Sequence, residues 1–461
     1  MKFPISVLLA AACTVTASVA SAQETLTFGR FGKLTLYGNT KDPAGVALLA
    51  SGERGWNHIV EDMARAVAEE GVLVIGVDTG RYLKALEAAA DKCAYLAADF
   101  EALSQFVQKK SGLARYQTPQ LIGYSTGAAL TYASAQQAPP GTFSGVVSLG
   151  FCPRLSLVKP LCRGSGPRIA EGDDGGVRFL PPEKFPVPWV VLQGEVDAVC
   201  DPRKAIEFVG GSDVGDVVVL SKVGHDFNYK QNWIPQLKAA ATKLKPKPAA
   251  SQTAAQVGDL PLVELPAKAA PNDTLAVILS GDGGWAGIDK SLGEVFAQQG
   301  IAVVGLNSLQ YFWKKRDPEV AARDLERIVR HYLAAWKKEK LLLVGYSTGA
   351  DVLPFMASRL PKELLSRVKL IAMLGPSSNA SFEFHVTDWI RSSPAKQAHP
   401  VKPEVAKLQG TRVLCIYGEE EKDSLCTELA PDMATRKALK GAHHFGGDYP
   451  ALAAEILKSA E

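Results

Sequence analysis

Short aliphatic runs recur along the chain, among them GVALLA from Gly45, VLVIGV from Val72, LAVIL from Leu275 and IAVVGL from Ile301. Between them lie helix-length amphipathic stretches. In DPEVAARDLERIVRHYLAAWKK, Val320, Leu325, Ile328, Val329 and Leu333 fall on one broad face at helical spacing. Runs apolar on both sides, alternating with helices, predict mostly parallel strands covered on both faces, the α/β class. Ligands of such sheets bind at the carboxyl ends of the strands, where glycine-rich loops sit here.

The pattern occurs twice. The segment from Gly45, GVALLASGERGWNHIVEDMARAVAEEGVLVIGVDTGRYL, lies over the one from Leu275, LAVILSGDGGWAGIDKSLGEVFAQQGIAVVGLNSLQYF. Further on, LIGYSTG answers LLVGYSTG, VPWVVLQGEVDAVC answers RVLCIYGEEEKDSLC, and GHDF answers AHHF, in the same order and at a nearly constant spacing of about 220 residues. The expected organisation is a leader over 1–22, a first domain over 23–243, a linker over 244–271 rich in Ala, Pro and Lys, and a second domain over 272–461. Within the linker, DLPLVELP also suits an edge strand or a strap.

The first 22 residues read as an export signal, with one lysine, an apolar run from about Ile5 to Ala20, and small residues at Ala20 and Ala22. No later stretch reaches 18 uninterrupted apolar residues, so a soluble periplasmic product is expected. The leader would carry off one of the seven cysteines, Cys13. The six left, Cys93, Cys152, Cys162, Cys200, Cys415 and Cys426, suit an oxidising compartment. Cys415 with Cys426 is the expected pair in the second half, and Cys152 with Cys162 the preferred local pair in the first. No CxxC spacing or histidine cluster argues for a metal, and no cofactor is expected.

Composition adds an exclusion. With 461 residues, 47% hydrophobic and 21% charged, the chain is ordinary globular material. Lys plus Arg number 51 against 48 Asp plus Glu, and a formal charge of +3 gives no support to a nucleic-acid binder.

Chemistry concentrates at two serines. Ser125 and Ser347 each sit in GYSTG, directly after an apolar strand and before a helix-compatible run, which is the setting of a strand–nucleophile–helix elbow. A serine hydroxyl needs a base, and the base a third group that orients it, in the order Ser, acid, His. The second copy supplies Ser347, Asp423 and His443, with Glu419, Glu420 and Glu421 as rival acids; His443 is preferred to His444 because it aligns with His225. The first copy supplies Ser125, Asp197 and His225 as a possible second site. The N–H of Thr348 and the loop around Asp282 and Gly283 would form the oxyanion hole. The glycine loop lacks the lysine of a phosphate-binding P-loop. Trp56 and Trp285 suit packing or pocket walls.

The second half, from GDGGWAGIDKSLGEVFAQQGIAVVGLNSLQYFW through LLVGYSTGADVLPF and MLGPSS to GAHHFGGDY, resembles the bacterial virulence protein VirJ family, a branch of the α/β-hydrolases. The two-domain arrangement behind a leader is similar to the family's long periplasmic branch. The resemblance implies two tandem α/β-hydrolase-like domains and a serine hydrolase at Ser347, Asp423 and His443. It implies as substrate an aminoacylated phosphatidylglycerol at the membrane surface, lysyl-phosphatidylglycerol above all. It also keeps two other roles in view: a binding or scaffold partner for type IV secretion and exported proteins, and a broader lipase or esterase. The first half departs from the family at ERG and HDF. The ammonium of such a substrate calls for a carboxylate, with Asp282, Asp351, Glu383, Glu419 to Glu421 and Asp448 as candidates. The segment Ser381 to Ile390 suits a lipid contact or a lid.

Overall fold

The computed structural model describes residues 24–162, 166–171, 176–210, 215–245, 256–385 and 399–461. The expected leader and the lipid-contacting residues Trp389 and Ile390 lie outside them. Two large sheets dominate. The first runs, edge to edge, Glu24–Phe28, Gly32–Tyr37, Val72–Val77, Gly45–Ala50, Gln120–Tyr124, Val146–Leu149, Trp189–Gly194 and Gly215–Leu220. Its second strand pairs antiparallel with both neighbours and every other pairing is parallel. The second runs Leu262–Leu265, Ala302–Leu306, Thr274–Leu279, Lys340–Tyr346, Val368–Leu374, Val413–Gly418 and Thr435–Leu439, parallel except for its first strand.

Strand order and direction therefore repeat, as the sequence repeat predicts. Each sheet has one apolar core on each face, which is why Gly45–Ala50, Val72–Val77 and Ala302–Leu306 are buried at every position and show no polar alternation.

The helices follow their sequence signals. Asn57 caps His58–Ala68 by accepting from the N–H groups of Ile59 and Val60. Pro318 opens Pro318–Ala335, where a fixed φ and a missing N–H cost nothing. That helix buries Leu325, Ile328, Val329 and Leu333 as its periodicity predicts, while Val320 is half-buried beside a stripe that begins at Ala321.

The expected linker 244–271 needs correction. Val257 and Leu260 are buried in the second domain's core, and Leu262–Leu265 pairs antiparallel with Ala302–Leu306 as an edge strand. The edge-strand reading of DLPLVELP therefore holds, because alternate apolar residues there cover an otherwise open sheet edge.

Disulfides join Cys93 to Cys162, Cys152 to Cys200 and Cys415 to Cys426. The expected pairing of Cys152 with Cys162 is thus wrong. Ala94 and Leu161 form a bridge that brings Cys93 to Cys162, while Cys152 lies just past a strand end, within reach of the loop that carries Cys200. Among the described residues, no helix is long and apolar enough to cross a membrane.

The two domains touch through the helix Leu96–Lys110 and the segment Leu113–Tyr116. Trp313 of the second domain donates its indole N–H to the Leu113 carbonyl at 2.7 Å. It also stacks on Phe384, with Tyr116 against its ring. Lys109 bonds the Trp313 carbonyl and pairs with Glu383 at 3.2 Å. These contacts place the first domain beside the loops at the carboxyl ends of the second sheet.

Candidate active site

Each GYSTG serine sits between the last residue of a strand and the first of a helix, Tyr124 and Thr126 around Ser125, Tyr346 and Thr348 around Ser347. Both serines have positive φ, 55° and 52°, a conformation L-residues avoid and one that turns Oγ outward. The flanking glycines are steric necessities. A Cβ on Gly345 would lie 2.4 Å from the Gly349 carbonyl oxygen, and one on Gly349 would lie 2.2 Å from that of Leu279. Gly123 and Gly127 are equally crowded.

In the first domain the Ser125 hydroxyl lies 2.9 Å from His225 Nε2, and His225 Nδ1 lies 2.9 Å from Asp197 Oδ2. Asp197 is only 4% exposed. Its other oxygen accepts from the N–H groups of Val199 and Cys200, and Gln193 donates to Oδ2. The acid is fixed, so it holds His225 with N–H on Nδ1 and the lone pair on Nε2 facing the serine. The Tyr124 hydroxyl donates to the His225 carbonyl at 2.7 Å, and burial beside Asp226 and Asp197 pushes the phenol up to about 12. Asp197, Cys200 and His225 bring their ligand-type atoms within 4.8 Å of one another. Cys200 is disulfide-bonded and has no thiolate, so the grouping is that of the triad.

The second domain has the same elbow with a different acid. His443 Nδ1 lies 2.5 Å from Glu421 Oε1, and Glu421 Oε2 accepts from the Gly418 N–H. Asp423, the expected acid, is exposed and two residues further along the loop. The reason is register. Glu419 and Glu195 donate their N–H groups to the equivalent carbonyls of Leu439 and Leu220, which aligns Gly418 with Gly194 and hence Glu421 with Asp197. In each copy the acid is the third residue after the glycine that ends its strand, a spacing visible in GEVD and GEEE.

His443 is the counterpart of His225. Both imidazoles rest on a positive-φ glycine, Gly375 and Gly150, where no Cβ stands in the way. His444 is exposed and shares a hydrogen bond of 3.0 Å with the Tyr346 hydroxyl. Among the described residues Ser347 Oγ makes no hydrogen bond to His443, so this centre is less fully assembled than the first.

The loop SGDGGW abuts the nucleophile, since a Cβ on Gly281 would lie 3.5 Å from that of Ser347. Asp282 and Thr348 line one cavity together with Ser308, Phe312, Glu383 and Phe384. Thr348 starts its helix, where backbone N–H groups lack intrahelical acceptors. The structure thus brings Gly281 against Ser347 and sets Asp282 and Thr348 in the wall of one cavity.

Other expected binding residues fall elsewhere. Trp285 packs on strand Ala302–Leu306, its ring 2.1 Å from where a Cβ on Gly305 would be, so glycine is required there and the tryptophan is a packing residue. Asp351 is 7% exposed and accepts from the Ser377 N–H at 2.6 Å. Its carboxyl is raised well above the ordinary value by burial, and it is not among the residues that line the cavity. Glu419 is exposed and away from the cavity, and Asp448 caps the last helix. Glu383 lines the cavity but is paired with Lys109.

Sheet order and the strand–serine–helix elbow give this chain the α/β-hydrolase fold twice over. The family model described as bacterial virulence protein (VirJ) matches residues 44–151 and 273–461, well over half the chain. The chain belongs to the VirJ family. No curated protein matches it. Among solved structures, it is similar to a serine hydrolase without a lid from Xanthomonas campestris, at 19% identity over 49% of this chain and 96% of that one, TM-score 0.33. An esterase domain from Rhodothermus marinus matches at 16% identity over 48% and 96%, TM-score 0.34. A serine hydrolase homologue from Coxiella burnetii matches at 16% identity over the same shares, TM-score 0.33.

Proposed function

We propose that the chain is a periplasmic serine carboxylic-ester hydrolase that removes the lysyl group from lysyl-phosphatidylglycerol, with Ser347, His443 and Glu421 as its catalytic residues. The observation that carries this reading is the placement of a strained nucleophilic serine and a carboxylate-backed histidine beside a cavity whose oxyanion loop bears Asp282. A carboxylate there suits an acyl group that carries ammonium. The three disulfides support an oxidising compartment.

In this mechanism Ser347 Oγ attacks the ester carbonyl while His443 Nε2 takes the hydroxyl proton, and Glu421 stabilises the imidazolium through Nδ1–H. N–H groups of Thr348 and of the loop at Asp282 and Gly283 hold the oxyanion. Collapse breaks the bond between the acyl carbon and the glycerol oxygen. His443 returns its proton to that oxygen and phosphatidylglycerol leaves. Water, deprotonated by His443, then attacks the lysyl-enzyme, releasing lysine and restoring Ser347.

The assembled first centre, with Ser125 already bonded to His225, favours a second activity on simpler esters. Lysine release from vesicles containing lysyl-phosphatidylglycerol tests the main reading. Ser347→Ala should abolish it and Ser125→Ala should lower it less. Equal turnover by Ser347→Ala and the native chain refutes the assignment, and no turnover by any of them favours the binding role in secretion.

A further inference from the structure

The turn 374–377 is where the three parts of the second centre meet. The Leu374 carbonyl accepts from the Ser347 N–H at 2.9 Å, and the Pro376 carbonyl accepts at 2.9 Å from the N–H of Leu425, four residues beyond Glu421. Between them Gly375 lies under the base, so close that a Cβ there would stand 2.7 Å from His443 Cε1. A shift of this turn therefore moves the histidine against nucleophile and acid together.

Asp351 holds the turn from the nucleophile's own helix. It stands one helical turn after Ser347 in Thr348–Ala357, and its N–H donates to the Ser347 carbonyl at 3.0 Å. Its side chain crosses to the turn, where Oδ1 accepts from the Ser377 N–H at 2.6 Å. Burying a carboxyl is unfavourable, and a hydrogen bond to a backbone N–H offsets that cost. Asp351 is not among the residues that line the cavity, so contact with substrate does not account for an acid at this place.

The first domain secures the same turn by other means. Gly150 lies under His225 as Gly375 lies under His443, so Cys152 matches Ser377. Three residues beyond each acid, Cys200 matches Ser424. The disulfide Cys152–Cys200 thus ties the first turn to its acid loop, and the Gln193 side chain accepts from the Phe151 N–H within it at 2.9 Å. Four residues after Ser125 that domain has Ala129 where the second has Asp351. In the second domain both cysteine positions are serines, with a 3.5 Å contact from the Ser424 hydroxyl to the Pro376 carbonyl, and Pro376 has no N–H to donate. The Asp351 carboxyl stands in for the missing crosslink.

We propose that Asp351 is a positioning residue of the second serine centre: by accepting from the Ser377 N–H it locks the turn under His443 to the helix that begins at the nucleophile, and so sets the reach from base to serine. The proposal rests on the serine-hydrolase reading of that centre. Asp351 acts on turnover through His443 and not on the choice of substrate. What it supplies is an acceptor rather than a charge, so an amide oxygen in the same place serves nearly as well.

The test uses the full chain carrying Ser125→Ala, so that only the second centre reports, with p-nitrophenyl butyrate as a neutral ester and each variant assayed well below its melting midpoint. Asp351→Ala should lower kcat about 10–100-fold and leave KM within about 2-fold, while Asp351→Asn should stay within about 3-fold of the parent in both. The helix accepts alanine at this place in the first domain; if Asp351→Ala nevertheless melts below the assay temperature, Asp351→Val, of similar volume and without an acceptor, is read in the same way. A lower melting midpoint with the parent's kcat would mean a merely structural role and overturn the proposal. So would a raised KM at unchanged kcat, which makes Asp351 a binding residue, or a loss in Asp351→Asn as deep as in Asp351→Ala, which makes the charge the active element. The underlying reading fails separately, if further substitution of Ser347→Ala leaves butyrate turnover intact or if the chain with Asp351 in place does not cleave the ester.

Discussion

Replacing Glu421 by glutamine is the sharpest test of the second centre, because the charge is lost with little change of shape. Glu421 uses both oxygens, Oε1 on His443 Nδ1 and Oε2 on the Gly418 N–H. A glutamine keeps only one acceptor. If its oxygen stays on Gly418, its NH2 faces Nδ1 and forces the histidine to carry its proton on Nε2, where it can no longer accept from Ser347. Loss of the orienting acid in a serine triad lowers kcat about 10⁴-fold. The His443 side chain is 39% exposed, so water softens the effect here, and about 10³–10⁴-fold is expected, or roughly 4–5 kcal/mol of transition-state stabilisation at 1.36 kcal/mol per tenfold. Asp423→Asn, at an exposed position, should change kcat less than about 3-fold. The assay is initial-rate hydrolysis of p-nitrophenyl butyrate by the full chain carrying Ser125→Ala, with melting curves for each variant. A Glu421→Gln protein within a few-fold of its parent beside a collapsed Asp423→Asn protein would refute the register argument and restore the acid expected from sequence.

Four further outcomes follow from the same contacts. Gly349→Ala places a methyl 2.2 Å from the Leu279 carbonyl oxygen and should cost about 1–3 kcal/mol of stability, read as a lower urea midpoint; an unchanged midpoint would mean that the elbow relaxes freely. Peptide mapping without reductant should find Cys93 with Cys162 and Cys152 with Cys200, and a Cys152–Cys162 peptide would contradict the fold. Cys426→Ser opens the loop that carries Glu421 and should cost about 3 kcal/mol by loop entropy, lowering turnover at the second centre more than at the first. Glu101 is raised in the folded chain, so its stabilising contribution is full below pH about 4.5 and lost as pH rises through about 8. Glu101→Gln should therefore gain about 1–2 kcal/mol on wild type between pH 6 and 9 in urea melts, the half-buried position discounting the full shift, and parallel pH curves for the two proteins would remove that reasoning.

How much of this was legible in sequence depended on whether the information was local. The elbows were readable because a glycine pair around a serine after an aliphatic strand answers a local steric demand, and the strands because burial on both faces leaves no polar alternation. Asp423 was chosen for its residue type, although counting from Gly418 as from Gly194 leads to Glu421. Cys415 with Cys426 holds as expected, and only the pairing in the first half failed, for a different reason. Cys152 and Cys162 are near in sequence, yet the bridge of Ala94 to Leu161 and the loop after Trp189–Gly194 decide which thiols meet, and both are long-range facts. Trp285 read equally as a wall or as packing until Gly305 was seen beneath its ring. The contact of Glu101 with Gly283 had no signal at all, because it exists only across a boundary between domains.

That boundary also explains why a duplicated fold need not duplicate its function. In each copy a disulfide ties down the loop that bears the acid, Cys152–Cys200 three residues after Asp197 and Cys415–Cys426 five residues after Glu421. The base-orienting machinery is thereby preserved even where its acid differs by a methylene. What differs is the rim. The second centre has its oxyanion loop pressed by the first domain, with Gly141 close to the Trp285 carbonyl, Pro139 on Gly287 and Glu101 at Gly283. A loop held at three points by a neighbouring domain presents its N–H groups in a fixed frame, which favours transition-state stabilisation over mere binding. Trp313→Ala, which removes the stacked contact with Phe384 and the hydrogen bond to Leu113, should therefore lower kcat at the second centre while Ser125-dependent turnover persists. Equal falls at the two centres would show that the interface stabilises the whole chain and does not tune one site.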